Sequence, residues 1–159
     1  MTDAPAVRVR PASAADRAWI LALAPRLHDF GPPPYRERGV MDAAVVASIG
    51  DALGGTKPDT AVLVAEDAAG VRLGFIHLHG ARDFFTGEAH GHVSDIVVAP
   101  EAEGRGVGQA LMAAAEDWAR ALGFRLLSLH VFDGNGRARA FYARLGYRPD
   151  IVKLIKTLR

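Results

Sequence analysis

Apolar and polar residues recur along this chain at spacings that predict six strands and four helices. Residues 6–11 alternate between apolar and charged side chains, which is typical of a half-buried strand. Further apolar runs predict strands over residues 60–67, 71–80, 90–100, 124–132 and 150–158. Apolar positions at helical spacing predict a helix that starts near Ser13 and others over residues 40–53, 107–122 and 135–146. The predicted order is β-α-α-β-β-β-α-β-α-β.

The connections between these elements predict a mixed sheet in a single α/β (α+β) domain over residues 1–159. The long helix at 107–122 joins the strands near residues 95 and 128, and a crossover of this kind makes two strands parallel. The earlier strands follow one another through short turns and are expected to be antiparallel. Ser13 and Asp16 have the spacing of a capping box, and Pro25 is expected to kink or shorten the first helix.

Composition narrows the class of protein. Apolar residues make up 50% of the 159 residues, which is enough for a core of one domain. A formal net charge of +1 argues against a broad surface for nucleic acid or for anionic membranes. There is no cysteine, which excludes disulfides and thiolate metal sites. No apolar run has the length of a signal peptide or a membrane span, so we expect a soluble, cytoplasmic protein.

The stretch EGRGVGQAL places Gly104, Gly106 and Gly108 on alternate positions between a predicted strand and a predicted helix. Free N–H groups and the dipole at a helix N-terminus attract anions, and glycines let a phosphate approach the backbone. Arg105 adds a cation. The P-loop and dinucleotide patterns do not match, because Gln109 stands where the latter requires glycine. The sequence therefore predicts a diphosphate site of another type; the alternative is a glycine turn that merely packs tightly.

At these residues the sequence resembles the GCN5-related N-acetyltransferase (GNAT) superfamily, which binds acetyl-coenzyme A. The loop at residues 103–108 follows the family pattern, except that Glu103 stands where Arg or Gln is usual. The strand SDIVVAP and the segment NGRARAFYARLGY also resemble family motifs. The resemblance covers residues 60–149 and implies the acyl-CoA N-acyltransferase fold, with acetyl-CoA as cosubstrate. Glu103 is expected to point outward, and Arg105 to supply the positive charge.

The resemblance also implies roles for individual residues. The pantetheine arm is expected along a strand where its parallel neighbour splays away, and the diphosphate at the glycine loop. Tyr142 would protonate the leaving thiolate, although its position on an apolar helix stripe is equally typical of a core residue. Asn135 would cap its helix and contact the cofactor arm. The predicted cofactor-binding residues are Ile96, Val97, Val98, Gly104, Arg105, Gly106, Val107, Gly108, Gln109 and Asn135.

A base must also remove a proton from the acceptor amine. Asp95 is the first candidate, because a carboxylate within VSDIVV is expected to be buried only for a purpose. A salt-bridged or solvent-facing Asp95 is the alternative. Glu88 is the second candidate, because its loop could reach the pocket.

Two loops, at residues 28–39 and 81–89, are expected to shape the acceptor pocket, because loops on a rigid scaffold carry specificity. Their aromatic and acidic side chains would contact the acceptor, although each is equally compatible with a solvated loop. The aromatic candidates are Phe30, Tyr35, Phe84 and Phe85, and the candidates for attracting a cationic amine are Asp29, Asp83 and Glu88.

These observations predict an N-acetyltransferase that transfers acetyl from acetyl-CoA to a primary amine by direct attack in a ternary complex. A small amine, an amino acid, an antibiotic and a protein N-terminus all remain possible acceptors. One alternative is a non-catalytic acyl-CoA-binding module. Another is a metal protein that uses His77, His79, His90 and His92, which alternate on two strands expected to pair. The last predicted strand, 150–158, could pair across a homodimer.

Overall fold

The computed structural model describes residues 6–159 as a five-stranded sheet with helices on both faces. The strands are β1 (Arg8–Pro11), β2 (Thr60–Glu66), β3 (Arg72–Arg82), β4 (Ala89–Val98) and β5 (Leu127–Leu129). The helices are α1 (Arg17–Leu23), α2 (Arg38–Gly54), α3 (Val107–Ala121) and α4 (Gly136–Arg144). The predicted single domain includes residues 1–5, which lie outside the described residues.

The sheet has the strand order β1-β2-β3-β4-β5. The first three pairs are antiparallel, and β4 and β5 are parallel and connected through α3. The mixed sheet and its parallel pair are therefore confirmed. α1 follows the predicted capping box, in which the Asp16 carboxylate accepts from the Ser13 N–H at 2.7 Å. As expected from Pro25, α1 ends early, and a 3₁₀ segment (Ala24–His28) continues the chain.

Apolar side chains fill the space on both faces of the sheet. We call the first face, covered by α3, the α3 face; its buried cluster includes Ile76, Leu78, Val93, Leu111 and Met112. We call the opposite face, covered by α1, α2 and the 3₁₀ segment, the α2 face; its buried cluster includes Ile20, Ile49, Val64, Phe75 and Val97. Within residues 6–159, no helix combines the length and apolar character that crossing a membrane requires.

A β-bulge at Ser94 changes which side chains of β4 share a face. His77 pairs with Asp95 and the following Leu78 pairs with Val93, so Ser94 has no partner on β3. Side chains alternate along a regular strand, and one extra residue reverses that alternation. Val93 accordingly packs on the α3 face, and Asp95 lies on the α2 face together with the histidines that precede the bulge.

Two strands predicted in the last third of the chain differ from the structure. β5 has three residues, whereas the sequence predicts a strand over 124–132. The predicted strand at 150–158 is wrong, because these residues form no strand or helix. Its apolar pattern favours a strand, but a strand also needs a hydrogen-bonding neighbour, and no strand of the described chain pairs with residues 150–158. Its apolar side chains are exposed, with Leu154 at 87% and Ile151 at 75%.

Candidate active site

The glycine loop leads directly into the N-terminus of α3. Gly104 and Gly106 have φ values of +74° and +77°, in the left-handed region that favours glycine, and Gly106 is the N-cap of the helix. The first helical donor is Ala110, whose N–H bonds the Gly106 carbonyl at 3.1 Å. The N–H groups of residues 107–109 therefore have no acceptor within residues 6–159. Such a backbone is typical of anion sites at helix N-termini.

The third glycine of the loop has a different function from the first two. A Cβ on Gly108 would lie 3.1 Å from the ring of Phe141 on α4, whereas nothing crowds the Cβ position of Gly104. Gly108 therefore lets α3 and α4 pack closely, which is the packing role considered in the sequence as an alternative.

Three arginines lie around the loop. Glu103 pairs with Arg26 of the 3₁₀ segment and with Arg137 of α4, the latter at 3.5 Å. Arg105 lies 3.9 Å from the Asp67 carboxylate. Glu103 is exposed, as expected of a side chain that points outward, and it pairs there with the two arginines. Sequence reasoning missed Arg26 and Arg137, because they come from segments 77 residues upstream and 34 residues downstream of Glu103.

The sheet splits between β4 and β5 beside this loop. The parallel pairing ends at Val93 and Leu129, so residues 94–98 of β4 have no strand partner on that side within the described chain. The expected splay is present, and Ile96, Val97 and Val98 lie along it. At the end of the strand, the Arg26 Nε donates to the Val98 carbonyl at 2.9 Å. The split leaves backbone groups available to an extended ligand.

α4 carries the other predicted cofactor-side residues. Asn135 is its N-cap, with Oδ1 accepting from the Ala138 N–H at 3.2 Å, so the capping role is observed. Tyr142 packs against the α3-face core, and its ring lies 5.2 Å from that of Phe141 and 6.2 Å from that of Tyr147. Burial raises the pKa of Tyr142 to about 12. The phenol therefore stays protonated at neutral pH, as a proton donor requires.

Asp95 lies on the opposite face, paired with a histidine. Its Oδ2 accepts from Nδ1 of His77 at 2.8 Å, and the two residues are 9% and 4% exposed. A carboxylate only accepts, so Nδ1 of His77 carries the hydrogen and Nε2 of the neutral ring has the lone pair. The predicted base is thus buried, as expected, and it pairs with a histidine that the sequence suggested only for the alternative metal site.

Further histidines extend from this pair along the sheet. Ring centroids lie 6.1 Å apart for His77 and His79, 5.1 Å for His79 and His92, and 4.9 Å for His92 and His130. We call these four residues the histidine row. His92 also bonds Ser128 Oγ through Nδ1 at 2.8 Å, which ties β4 to β5. The row starts at the buried His77, which is bonded to Asp95, and ends at the exposed His130.

The histidines converge on one face as the pairing of β3 and β4 predicts, but not as a metal site. Within residues 6–159, no three ligating side chains are close enough to hold an ion. His90 is on the same face but outside the row, and its buried Nδ1 has no partner within the described residues. Sequence reasoning missed His130, because the parallel pairing that brings β5 beside His92 connects residues 36 positions apart.

One of the two predicted acceptor loops lies beside the end of the histidine row. Phe30 stacks on Phe132 with centroids 5.2 Å apart, and Phe132 follows His130 by two residues. The Arg36 guanidinium lies 5.5 Å from the Tyr35 ring and 5.7 Å from the Phe132 ring, within cation–π range. Phe30 and Tyr35 therefore come together in one aromatic wall, and Phe132 is a member that the sequence did not reveal.

The other predicted loop is at the far end of β4. Phe84 and Phe85 contact each other at the hairpin tip and are 92% and 79% exposed. Glu88 precedes β4 and pairs with Arg125, which lowers the pKa of its carboxyl. Glu88 lies seven positions before Asp95 along extended chain, about 20 Å away. The structure does not bring Phe84, Phe85 or Glu88 to the split, so they do not contribute to a pocket there.

The acidic residues expected to attract a cationic amine all form ion pairs or hydrogen bonds with other groups of the chain. Asp29 pairs with Arg38 and with Arg26, the latter at 3.3 Å. Asp83 bonds the backbone N–H groups of its own hairpin, at 3.0 Å from Phe85 and 2.8 Å from Thr86, which lowers the pKa of its carboxyl. Neither offers a free carboxylate to an acceptor.

Comparisons with known proteins agree with this geometry. An N-acetyltransferase of Bacillus subtilis, YhfO, itself uncharacterized, is 28% identical over 144 residues, 91% of each chain. Mycothiol acetyltransferase of Beutenbergia cavernae is 38% identical over 95 residues, which are 60% of this chain and 30% of that protein. The structure of aminoglycoside N-acetyltransferase AAC(6')-Iy in complex with CoA superposes with a TM-score of 0.74 at 20% identity, over 100% of this chain and 99% of that one.

The structural likeness shows that the fold is shared. A family model described as the acetyltransferase (GNAT) family matches residues 50–147, which include the glycine loop, the split, Asp95 and Tyr142. This match covers more than half of the chain. The chain therefore belongs to the acetyltransferase (GNAT) family.

Proposed function

We propose that this protein is an acetyl-CoA-dependent N-acetyltransferase that acts on a primary amine by direct attack in a ternary complex. The observation that carries the proposal is the split between β4 and β5, which opens beside the free N–H groups of α3. The diphosphate would bind residues 104–109, and the pantetheine arm would follow Ile96–Val98. In solved structures of similar fold, an aminoglycoside N-acetyltransferase is bound to CoA.

The two faces of the sheet would supply opposite proton transfers. The amine would approach from the α2 face, where His77, held by Asp95, takes its proton. The nitrogen of the amine attacks the thioester carbonyl, and the carbon–sulfur bond then breaks. Tyr142 on the α3 face would protonate the departing thiolate. With no cysteine in the chain, an acetyl-cysteine intermediate is excluded, in agreement with direct attack.

Calorimetric titration with CoA and thiol release with an amine panel would test this function. The panel includes benzylamine, amino acids, aminoglycosides and peptides with a free N-terminus. We expect CoA to bind and at least one amine to release thiol. Tyr142→Phe should lower kcat about 10²-fold or more and keep CoA affinity. Tyr147→Phe is the matched control, because its hydroxyl bonds Glu116 on α3.

The possible outcomes separate the proposal from its alternative. CoA binding without any acetyl transfer would favour the non-catalytic acyl-CoA-binding module. Normal turnover by Tyr142→Phe would overturn the assignment of the acid. The cytoplasmic location and the extent of the domain over residues 1–159 stay predictions.

We also propose that the protein forms a homodimer through the segment at residues 150–158. Five large apolar side chains in it are exposed, and such a concentration is typical of an interaction surface. They are Ile151, Val152, Leu154, Ile155 and Leu158. The open edge strand β5, flanked by the exposed Leu126 and Val131, is apolar as well, so one chain carries both partners of a symmetric contact.

Light scattering after gel filtration tests this contact. We expect a dimer that Leu154→Asp converts to a monomer, because a buried charge opposes association. Phe84→Asp, at the exposed hairpin tip, is the control and should remain dimeric. A monomeric wild-type protein at micromolar concentration would contradict the proposal.

A further inference from the structure

We propose that His79, His92 and His130 form a path along which the acceptor's proton leaves the buried His77–Asp95 pair and reaches solvent. This inference rests on the proposed acetyl transfer, because the proton comes from the attacking amine. It gives the histidine row a function that neither the fold nor the glycine loop assigns.

The geometry of the row gives the path its direction. His77 and Asp95 are buried, His79 and His92 are half-buried, and His130 is exposed. Neighbouring ring centroids are 4.9–6.1 Å apart, and within residues 6–159 no ring nitrogen bonds directly to another. A bridging water molecule would connect neighbouring rings of such a row. A buried base therefore connects to the surface through short steps.

The hydrogen bonds indicate which nitrogens exchange protons. His77 donates to Asp95 from Nδ1, and His79 donates to the Gly80 carbonyl from Nδ1 at 2.8 Å. Each neutral ring therefore has its lone pair on Nε2. An N–H bond of the amine breaks as the proton moves to Nε2 of His77, and Asp95 stabilises the imidazolium. The proton then passes through His79, His92 and His130 to water, which restores the neutral rings.

The middle of the path is neutral at rest. Burial lowers the pKa of His92 to about 4, and the nearby His130, His79 and His90 lower it further, against the opposite effect of Asp95. A neutral ring has one N–H and one lone pair, so it can accept a proton on one nitrogen and release one from the other. His90 faces the same group but does not continue the row, so it offers a comparison on the same strand.

Loss of a relay residue should be repaired by the missing group in free form. In His92→Ala we expect kcat/KM for the most reactive amine of the panel to fall about 10-fold or more at pH 7. Added imidazole should restore much of it, because the small ring can enter the space left by the side chain. The defect should shrink as the pH approaches the pKa of the amine, which then arrives without its proton. His90→Ala, the same substitution two residues away, should keep wild-type activity.

His130→Ala separates proton transfer from structure, because His92 also ties β4 to β5. The His130 ring is exposed and makes no hydrogen bond within residues 6–159, so this variant should fold and still show an imidazole-dependent defect. Wild-type turnover in both variants, or a loss that neither imidazole nor raised pH reduces, would overturn the path. A wild-type protein that acetylates no amine would instead overturn the proposed function, before any variant is compared.

Discussion

Two polar clusters of this protein contain a buried carboxylate, and they differ in how fully their hydrogen-bonding groups are used. Asp16 is fully buried and accepts from Arg10 at 2.7 and 3.0 Å, from Arg72 at 2.7 Å and from the Ser13 N–H at 2.7 Å. Asp95 accepts from Nδ1 of His77, and within residues 6–159 the Nε2 atoms of His77, His79 and His92 make no hydrogen bond. A cluster with every group paired stabilises the fold, whereas a titratable cluster that keeps free ring nitrogens is typical of a reactive site.

Removing the charge of Asp16, whose cluster is the one with its groups paired (the saturated cluster), should have the largest effect on stability. Asp16→Asn leaves Arg10 and Arg72 without their buried partner, and breaking such a pair costs about 3–5 kcal/mol of unfolding free energy. Urea unfolding measures the loss. CoA binding by the folded fraction should be unchanged, because the hydrogen bonds of Asp16 go to Arg10, Arg72 and Ser13 and none goes to the glycine loop. A loss below about 1 kcal/mol would show that the saturated cluster does not carry stability.

The corresponding change at Asp95, beside the histidine row, should lower turnover instead. Asp95→Asn removes the charge that stabilises the His77 imidazolium, so we expect kcat to fall about 10²-fold, the lower range for general acid–base catalysis. CoA affinity measured by calorimetry should stay the same. If Asp95→Asn destabilises the fold as much as Asp16→Asn and leaves kcat intact, the comparison is reversed.

The glycine loop gives a third, smaller effect. Gly106→Ala places a Cβ at a φ of +77°, which costs about 1–2 kcal/mol. We expect CoA affinity to fall about 10-fold as the loop adjusts. Gly39→Ala in α2 is the control, because an added Cβ there meets nothing within 4 Å. Equal CoA affinity in the two variants would contradict an anion site at the loop.

The smallest predicted effect is the pH dependence of stability, which differs between the Asp16 cluster and the histidine row. His92 has a folded pKa of about 4 and an ordinary value of 6.5, so the unfolded chain binds its proton first. Stability from this group is therefore lost as the pH falls from 6.5 to 4. Arg10 holds the pKa of Asp16 well below its ordinary 3.8, so the contribution of Asp16 is present above that value and is lost on further acidification.

Melting temperatures between pH 7 and 3 measure the loss from His92 and the start of the loss from Asp16, and about 1 kcal/mol corresponds to ~2–4 °C at this size. His92→Ala should lose less stability than wild type between pH 6.5 and 4. Parallel curves over that interval would mean that His92 does not titrate as described.

Local sequence patterns predicted those parts of the molecule that local geometry controls. The element order as far as α4, the capping box and the glycine turn before α3 depend on neighbouring residues, and all are present. The arginines around Glu103 and the stacking of Phe132 on Phe30 depend on segments distant in sequence, which no local periodicity encodes. The predicted strand at 150–158 was wrong for the same reason, because pairing needs a neighbour.

The candidate site was half predictable. Asp95 is noticeable in the sequence as a charge within an apolar run, and Tyr142 lies in a family motif. The pairing of Asp95 with His77 was not predicted, because regular alternation assigns Asp95 and His92 to opposite faces. The bulge that unites them appears only in the register of β3 against β4.

Ser94 thus sets which side chains of β4 share a face of the sheet, because it interrupts the regular alternation along the strand. Pairing this residue regularly with β3 would turn either the upstream or the downstream half of β4 over, with Asp95 and the histidines then separated by the thickness of the sheet. Deleting it would instead leave Asp95 and Val93 as neighbours on opposite faces, as they are now, so the chemistry of this face depends on Ser94 staying outside the pairing of β3 with β4.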